Sequence, residues 1–184
     1  MTSFEDKVVI VTGGSSGIGL SAAIQFANLG AFVLITGRRA EALAEAGNRH
    51  PNIEAMIADL SRAEDAFRTI SRSIERWGRL DVLVNNAGAD AIMPLSEIDA
   101  PRINEIFAVN VLRPSLLAKE ALPHLKESKG SIVNISSTYG SKPGMGLSHY
   151  GASKAALRAE SSGLRHRVRH SGRDLAAPHG AGLR

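Results

Sequence analysis

Five short apolar runs punctuate the first 136 residues: KVVIV (7–11), AFVLIT (31–36), IEAMIA (53–58), DVLVN (81–85) and SIVNIS (131–136). All are β-branched or Leu-rich and lack polar alternation, the pattern of strands covered on both faces. The stretches between them predict helices over 17–29, 40–48, 61–77 and 101–125, with another starting near Tyr150. Helix signals agree. Ser61, Arg62, Ala63 and Glu64 read as a capping box, Gly30 and Gly78 sit where helices stop, and Pro101 suits a first turn. Strands alternating with helices require right-handed crossovers, hence a doubly wound parallel α/β sheet of five strands. No linker, repeat or low-complexity segment interrupts residues 1–163, which read as one domain.

Composition narrows the function classes. The chain has 184 residues, 43% of them apolar and 22% charged, ordinary values for a globular protein. It has no cysteine, which excludes disulfides and thiolate metal sites, and no metal centre is expected. No secretory leader is evident at the N-terminus, and no apolar run approaches the ~20 residues that span a bilayer. The cytoplasm is the expected location, with no membrane partner. The net charge of +4 is concentrated at one end. Arg165, Arg167, Arg169, Arg173 and Arg184 against a single Asp174 account for all of it, leaving residues 1–163 neutral. An Arg-rich tail binds polyanions in principle, but without interleaved aromatics no nucleic-acid partner is expected.

The first strand runs directly into TGGSSGIG, residues 12–19. Gly13, Gly17 and Gly19 allow a tight turn and a close backbone approach to a pyrophosphate, with a helix N-terminus aimed at it. A dinucleotide site usually carries an acidic residue at the end of the second strand. This chain has no Asp or Glu between Gly19 and Glu41 and ends that strand in TGRR. Arg38 and Arg39 there suit a 2′-phosphate, favouring NADP(H) over NAD(H); the alternative is two solvated arginines at a helix start. Asp59, in ADLS, reads as a helix cap or a ligand contact. NNAG at 85–88 reads as a sharp turn beside a ligand or an ordinary turn.

Ser137, Tyr150 and Lys154 form the strongest constellation. Tyr150 and Lys154 are four apart, so they share a helix face. An ammonium beside a phenol favours the phenolate and moves its pKa down from about 10. Tyr150 then suits general acid chemistry on a carbonyl becoming an alkoxide, or base chemistry in reverse. Ser137 directly follows the fifth run, where open α/β sheets bind ligands, and can offer a hydroxyl to the same oxygen.

In that order and at those intervals, TGGSSGIG, NNAG, NISS and YGASK closely resemble the short-chain dehydrogenase/reductase family over residues 4 to about 160. The resemblance implies a Rossmann-type domain, a nicotinamide cofactor, and hydride transfer to or from a small alcohol or carbonyl substrate. Tyr150 matches the family's acid/base and Lys154 the residue that tunes it and holds the nicotinamide ribose. Ser137 matches the substrate-oxygen donor. Asn110, in AVNVL, matches the Asn of a water-linked proton relay, although from its own surroundings it reads equally as a satisfied helix polar group. Gly13, Ser15, Ser16, Gly17, Ile18, Gly19, Asp59, Leu60, Asn86, Ala87 and Gly88 fall within cofactor-binding motifs, with Tyr150 and Lys154. The family also implies a homo-oligomer. The loop from Thr138 to His149 is expected to line the substrate pocket, with Lys142 as its charged anchor.

The resemblance stops after the Tyr/Lys helix. The family continues through further helix, two strands and a substrate lid, whereas residues 164–184 read GLRHRVRHSGRDLAAPHGAGLR from Gly163 onward, with no strand-like run and no apolar stripe. The composition is that of GC-rich DNA translated out of frame, and a one-nucleotide shift from Leu164 permits an amphipathic helix like the family's. The expectation is therefore an irregular basic tail, final family strands missing, a compromised oligomer interface, and weak turnover or a non-catalytic remnant that at most binds nucleotide.

Overall fold

The computed structural model describes residues 3–59, 62–89, 92–142 and 144–168. Its elements alternate as expected: β1 (Val8–Thr12), α1 (Gly17–Asn28), β2 (Phe32–Gly37), α2 (Ala40–Gly47), β3 (Ile53–Ile57), α3 (Ala63–Trp77) and β4 (Val82–Asn85). Then come α4 (Ala100–Phe107), a π-helical turn (Ala108–Leu112), α5 (Arg113–Ser128), β5 (Ser131–Asn134), a 3₁₀ turn (Thr138–Gly140) and α6 (Ser148–Val168). All strand pairs are parallel, in the order β3-β2-β1-β4-β5. The order reverses at β1, so the crevice between the carboxyl ends of β1 and β4 is the natural ligand site.

Alternate residues of the central strands feed two cores. Val9, Val11, Val33 and Ile35 pack with Ala23 and Ala27 of α1, whose small side chains let that helix lie close to the sheet. Ile10, Leu34 and Leu83 point the other way, onto Ile70 of α3 and Leu117 and Ala121 of α5. Two-sided burial holds for β1, β2 and β4 but not for the outer strands, where burial alternates and Ile57 and Val133 are exposed. These strands are the sheet's edges, with a neighbour on one side among the described residues.

Three sequence boundaries shift. The helix expected over 101–125 runs from Ala100 to Ser128 but is interrupted at 108–112, where a widened turn replaces α-helical spacing. Asp99 caps it, accepting from the Arg102 N–H at 2.9 Å, with Pro101 in the first turn as expected. The expected capping box begins on Ser61 and so falls partly outside the described residues. Arg62 occupies the N-cap of α3 without a side-chain bond. The fifth strand ends at Asn134, so Ser137 stands in the following loop. The Tyr/Lys helix does not dissolve at Gly163: its backbone stays helical to Val168, past the expected domain boundary, and residues 169–184 lie outside the described set.

At the opposite end of the sheet from the crevice, Asp81 is buried and gathers the Val8 N–H (2.9 Å), Lys7 Nζ (3.3 Å) and a two-pronged Arg79 (2.8 and 2.7 Å). Burial pushes its pKa up, but the Arg79, Val8 and Lys7 hydrogen bonds and the Arg79 charge outweigh this and hold it below the ordinary value. Asp81→Asn is expected to destabilise the fold by about 2 kcal/mol at pH 7, tempered by the partial exposure of Arg79 and Lys7. With the folded pKa depressed, this stability is fully present above the unfolded carboxylate's pKa of about 3.9 and is lost as pH falls through the folded value. Urea unfolding of both proteins at pH 7 and pH 3 checks it: the difference shrinks on acidification.

Candidate functional site

β1 ends in Thr12, whose buried hydroxyl ties the first turn to the fourth strand. It donates to Val84 O (3.3 Å) and accepts the N–H groups of Asn86 and Ala87, each at 3.0 Å. The Asn86 amide returns the bond, donating to Thr12 O (2.9 Å) and Gly13 O (3.2 Å). NNAG is therefore more than a turn: it holds the glycine loop in place. Sequence reasoning did not single out Thr12; its position between an apolar strand and a glycine run was the available signal.

Three of the loop's glycines are required by close approaches. A Cβ at Gly13 would lie 3.0 Å from Ala87 Cα, and one at Gly14 would lie 2.7 Å from Ile35 Cβ. At Gly19 it would be driven into the Gly13 carbonyl oxygen and the Asn86 amide. Ser16 occupies the N-cap of α1 with no side-chain cap bond, so the first N–H groups of that helix are open toward the crevice.

The crevice is a cavity of about 350 Å³. It brings together Gly13, Ser15, Ser16, Arg38, Arg39, Asp59, Asn86, Ala87 and Gly88 from the sequence set. Gly17, Ile18 and Gly19, in the first turn of α1, do not line it, and Ile18 is exposed. Leu60 lies outside the described residues. Arg38 and Arg39 are solvent-exposed, at the end of β2 and the start of α2. The Asp59 backbone is fixed by its N–H donating to Asp65 Oδ2 at 2.6 Å and its carbonyl accepting from the Arg62 N–H at 2.8 Å. Thr36, Ala58, Ala89 and Val109 also line the cavity and were missed. They are small or β-branched residues beside motif positions, and nothing in their own pattern marks them.

The second cluster stands beyond Gly88, whose Cβ position is 3.6 Å from Lys154 Nζ and 3.4 Å from Asn110 Oδ1. Lys154 is 3% exposed, donates to Ile135 O at 2.9 Å, and has its Nζ 5.8 Å from the centre of the Tyr150 ring. Burial pushes its pKa below the ordinary lysine value. The Ser137 hydroxyl oxygen accepts the Tyr139 N–H at 3.2 Å, so its proton is free to point elsewhere. Asn110, inside the π turn and buried, accepts from Ala89 N–H (2.9 Å) and donates to Ala89 O (2.8 Å) and Ser153 Oγ (2.9 Å). Its side chain thus clamps the loop after NNAG to α6, the satisfied polar group that its surroundings suggested. A second polar chain runs from Asn85 through Asn134 to Ser161, at 2.8 and 2.7 Å, and fastens α6 to β5.

A glycine loop that admits no Cβ at Gly13, Gly14 or Gly19 and an open helix N-terminus fit the pyrophosphate of a dinucleotide. A buried ammonium against a phenol fits proton transfer. Comparison with known proteins agrees. The family model described as short chain dehydrogenase matches residues 7–173, running past Gly163. An 11-beta-hydroxysteroid dehydrogenase of Sesamum indicum is 38% identical over 157 residues, covering 82% of this chain but 45% of its own. This chain thus spans about half that relative's length. Among solved structures, a metagenomic short-chain oxidoreductase in complex with NADP is 32% identical with a TM-score of 0.86, over 91% of this chain and 79% of that one. A short-chain dehydrogenase/reductase from Burkholderia phymatum in complex with NAD is 27% identical with a TM-score of 0.88, over 94% and 63%.

Proposed function

This chain belongs to the short chain dehydrogenase family, and on that ground we propose that it is an NADP(H)-preferring oxidoreductase acting on a small alcohol or carbonyl compound. The reading rests on Lys154, a buried ammonium set between the cavity wall at Gly88 and the ring of Tyr150. In it, residues 1–163 carry the function. The glycine loop with Ser15, Ser16 and Ile18 holds the pyrophosphate; Asp59 and Leu60 border the adenine; Asn86, Ala87 and Gly88 support the nicotinamide half. Arg38 and Arg39 hold the 2′-phosphate. The same reading places the protein in the cytoplasm and, following its family, in a homo-oligomer.

When bound, the reduced nicotinamide supplies the hydride. The chain's own residues manage the oxygen. As the carbonyl carbon gains its C–H bond, negative charge builds on oxygen, and Tyr150 gives up its hydroxyl proton to form the alcohol. Ser137 donates a hydrogen bond to that oxygen. Lys154 stabilises the phenolate left on Tyr150 and offers donors to the ribose hydroxyls. Asn110 keeps α6 and the NNAG loop in register. In oxidation each proton moves the other way.

A second reading, nucleotide binding without turnover, is favoured by one observation: Ser137, Tyr150 and Lys154 stand outside the lining of the 350 Å³ cavity that holds the nucleotide candidates. Thermal unfolding with saturating NADPH or NADH separates the outcomes, since a ligand that binds the native state raises the midpoint. NADPH is expected to give the larger shift. The double variant Arg38→Ala, Arg39→Ala is expected to lose about 10- to 100-fold in NADPH affinity, the equivalent of one or two charge-assisted bonds, with NADH unchanged. Equal shifts with both cofactors would remove the NADP(H) preference. Consumption of NADPH with carbonyl compounds then decides between turnover and binding alone.

A further inference from the structure

Ser153 is fully buried in α6, between Tyr150 and Lys154 in sequence. Its hydrogen bonds can run in only one direction. The Ala89 N–H can only donate, so the Asn110 side-chain atom that faces it at 2.9 Å is the oxygen. The two amide hydrogens of Asn110 then go to Ala89 O (2.8 Å) and to Ser153 Oγ (2.9 Å). Ser153 has to accept that bond, and its own proton runs on to the Tyr150 carbonyl at 2.7 Å. A continuous chain therefore leads from the loop after NNAG, through the π turn, to the main chain of Tyr150.

Tyr150 stands where such an anchor has an effect. It is the third residue of α6, in the first turn, and helix ends fray. Lys154 is tied to the sheet by its own Nζ, through the bond to Ile135 O at 2.9 Å. The Tyr150 ring meets Tyr139 edge-on, centroids 6.5 Å apart, and Lys154 Nζ at 5.8 Å from its centre. We propose that Ser153 is a positioning residue: it ties the Tyr150 backbone to Asn110 and so sets the phenol in place beside Lys154. Its consequence for catalysis rests on the oxidoreductase reading above, because a displacement of about 1 Å at a reacting group costs on the order of 10²-fold in rate.

The same helix carries a matched control. Ser161 donates to Leu157 O at 2.8 Å and accepts the Asn134 amide at 2.7 Å, the same pair of bonds two turns further from Tyr150. Alanine at either position strands an Asn N–H, so Ser153→Ala and Ser161→Ala are both expected to lower the unfolding midpoint. Only the first should move Tyr150. The chain has two tyrosines, so the full chain labelled with meta-fluorotyrosine shows both by fluorine NMR, and Tyr139→Phe tells them apart. Ser153→Ala is expected to shift or split the Tyr150 signal, and Ser161→Ala to leave it in place. With NADPH and diacetyl as the carbonyl probe, Ser153→Ala should lose about 10- to 100-fold in kcat with KM and NADPH affinity unchanged, while Ser161→Ala keeps the wild-type kcat. Ser153→Cys, which fills nearly the same space with a weak hydrogen-bonding group, replaces the alanine variant if that does not fold. A Tyr150 signal unmoved in the Ser153 variant, one moved as far by Ser161→Ala, or a wild-type kcat in the Ser153 variant would each overturn the proposal. A wild-type chain that consumes no NADPH with diacetyl or any other carbonyl compound sinks the oxidoreductase reading instead, and the fluorine signal still decides whether Ser153 positions Tyr150.

Discussion

Gly19→Ala is expected to weaken NADPH binding by about 10- to 100-fold and to lower the unfolding midpoint, the range that overpacking of about 1–3 kcal/mol implies. The cause is position. Gly19 lies in the first turn of α1, and its added methyl would be pressed into the Gly13 carbonyl and the Asn86 amide. The carbonyl is backbone, held where it is by Asn86 Nδ2 at 3.2 Å and by the Thr12 hub behind it. Relief therefore requires the loop itself to move, and the loop is the cradle. Gly17 is the matched control. It has φ +55° but open space around its Cβ position, so alanine there meets only backbone strain of about 1–2 kcal/mol. Calorimetric affinity and thermal unfolding of the two variants check the contrast. A Gly19→Ala protein that binds NADPH like the wild type would show that the pyrophosphate does not sit on this turn.

The glycine loop was legible because its constraint is local: strand, tight turn and helix start are neighbours in sequence, and each leaves its own residue signature. The same holds for the five strands and for Gly78, which ends α3 at φ +73°. What the sequence hid depends on neighbours brought in from elsewhere. The runs at 53–58 and 131–136 look as apolar as the central ones, yet Ile57 and Val133 are exposed, because edge position is decided by strand order rather than by composition. Asn110 looked like any polar residue in a helix. Its clamp on Ala89 and Ser153 depends on a widened turn that has no propensity signal and on a contact 43 residues away. Thr36 and Val109 reach the cavity by the same kind of long-range placement. The Tyr/Lys helix persisted beyond Gly163 against its lack of an apolar stripe, which weighs less once the preceding turns are anchored at Leu157 and Ser161.

Lys154→Met is expected to reduce turnover by about 10²–10⁴-fold while making the fold more stable by roughly 1 kcal/mol. The two effects share an origin. Lys154 is buried with a single neutral acceptor, Ile135 O, and the described structure gives its ammonium no carboxylate. Burial disfavours the charged form, which is why its pKa falls. Methionine fills nearly the same volume without that penalty, at the cost of leaving the Ile135 carbonyl unpartnered, about 1 kcal/mol against a larger charge-burial term. The pH dependence has a definite sign. Between the depressed folded pKa and the ordinary value of about 10.4, the unfolded chain holds a proton that the native state has released, so wild-type stability rises with pH across that window. The advantage of methionine should therefore be full below the folded pKa and shrink as pH climbs from there toward 10. Denaturant unfolding at a series of pH values measures it without any substrate. A methionine variant less stable than wild type at pH 7 would mean that the Ile135 bond outweighs the buried charge, and that Lys154 is held in place by stability rather than by the chemistry at Tyr150.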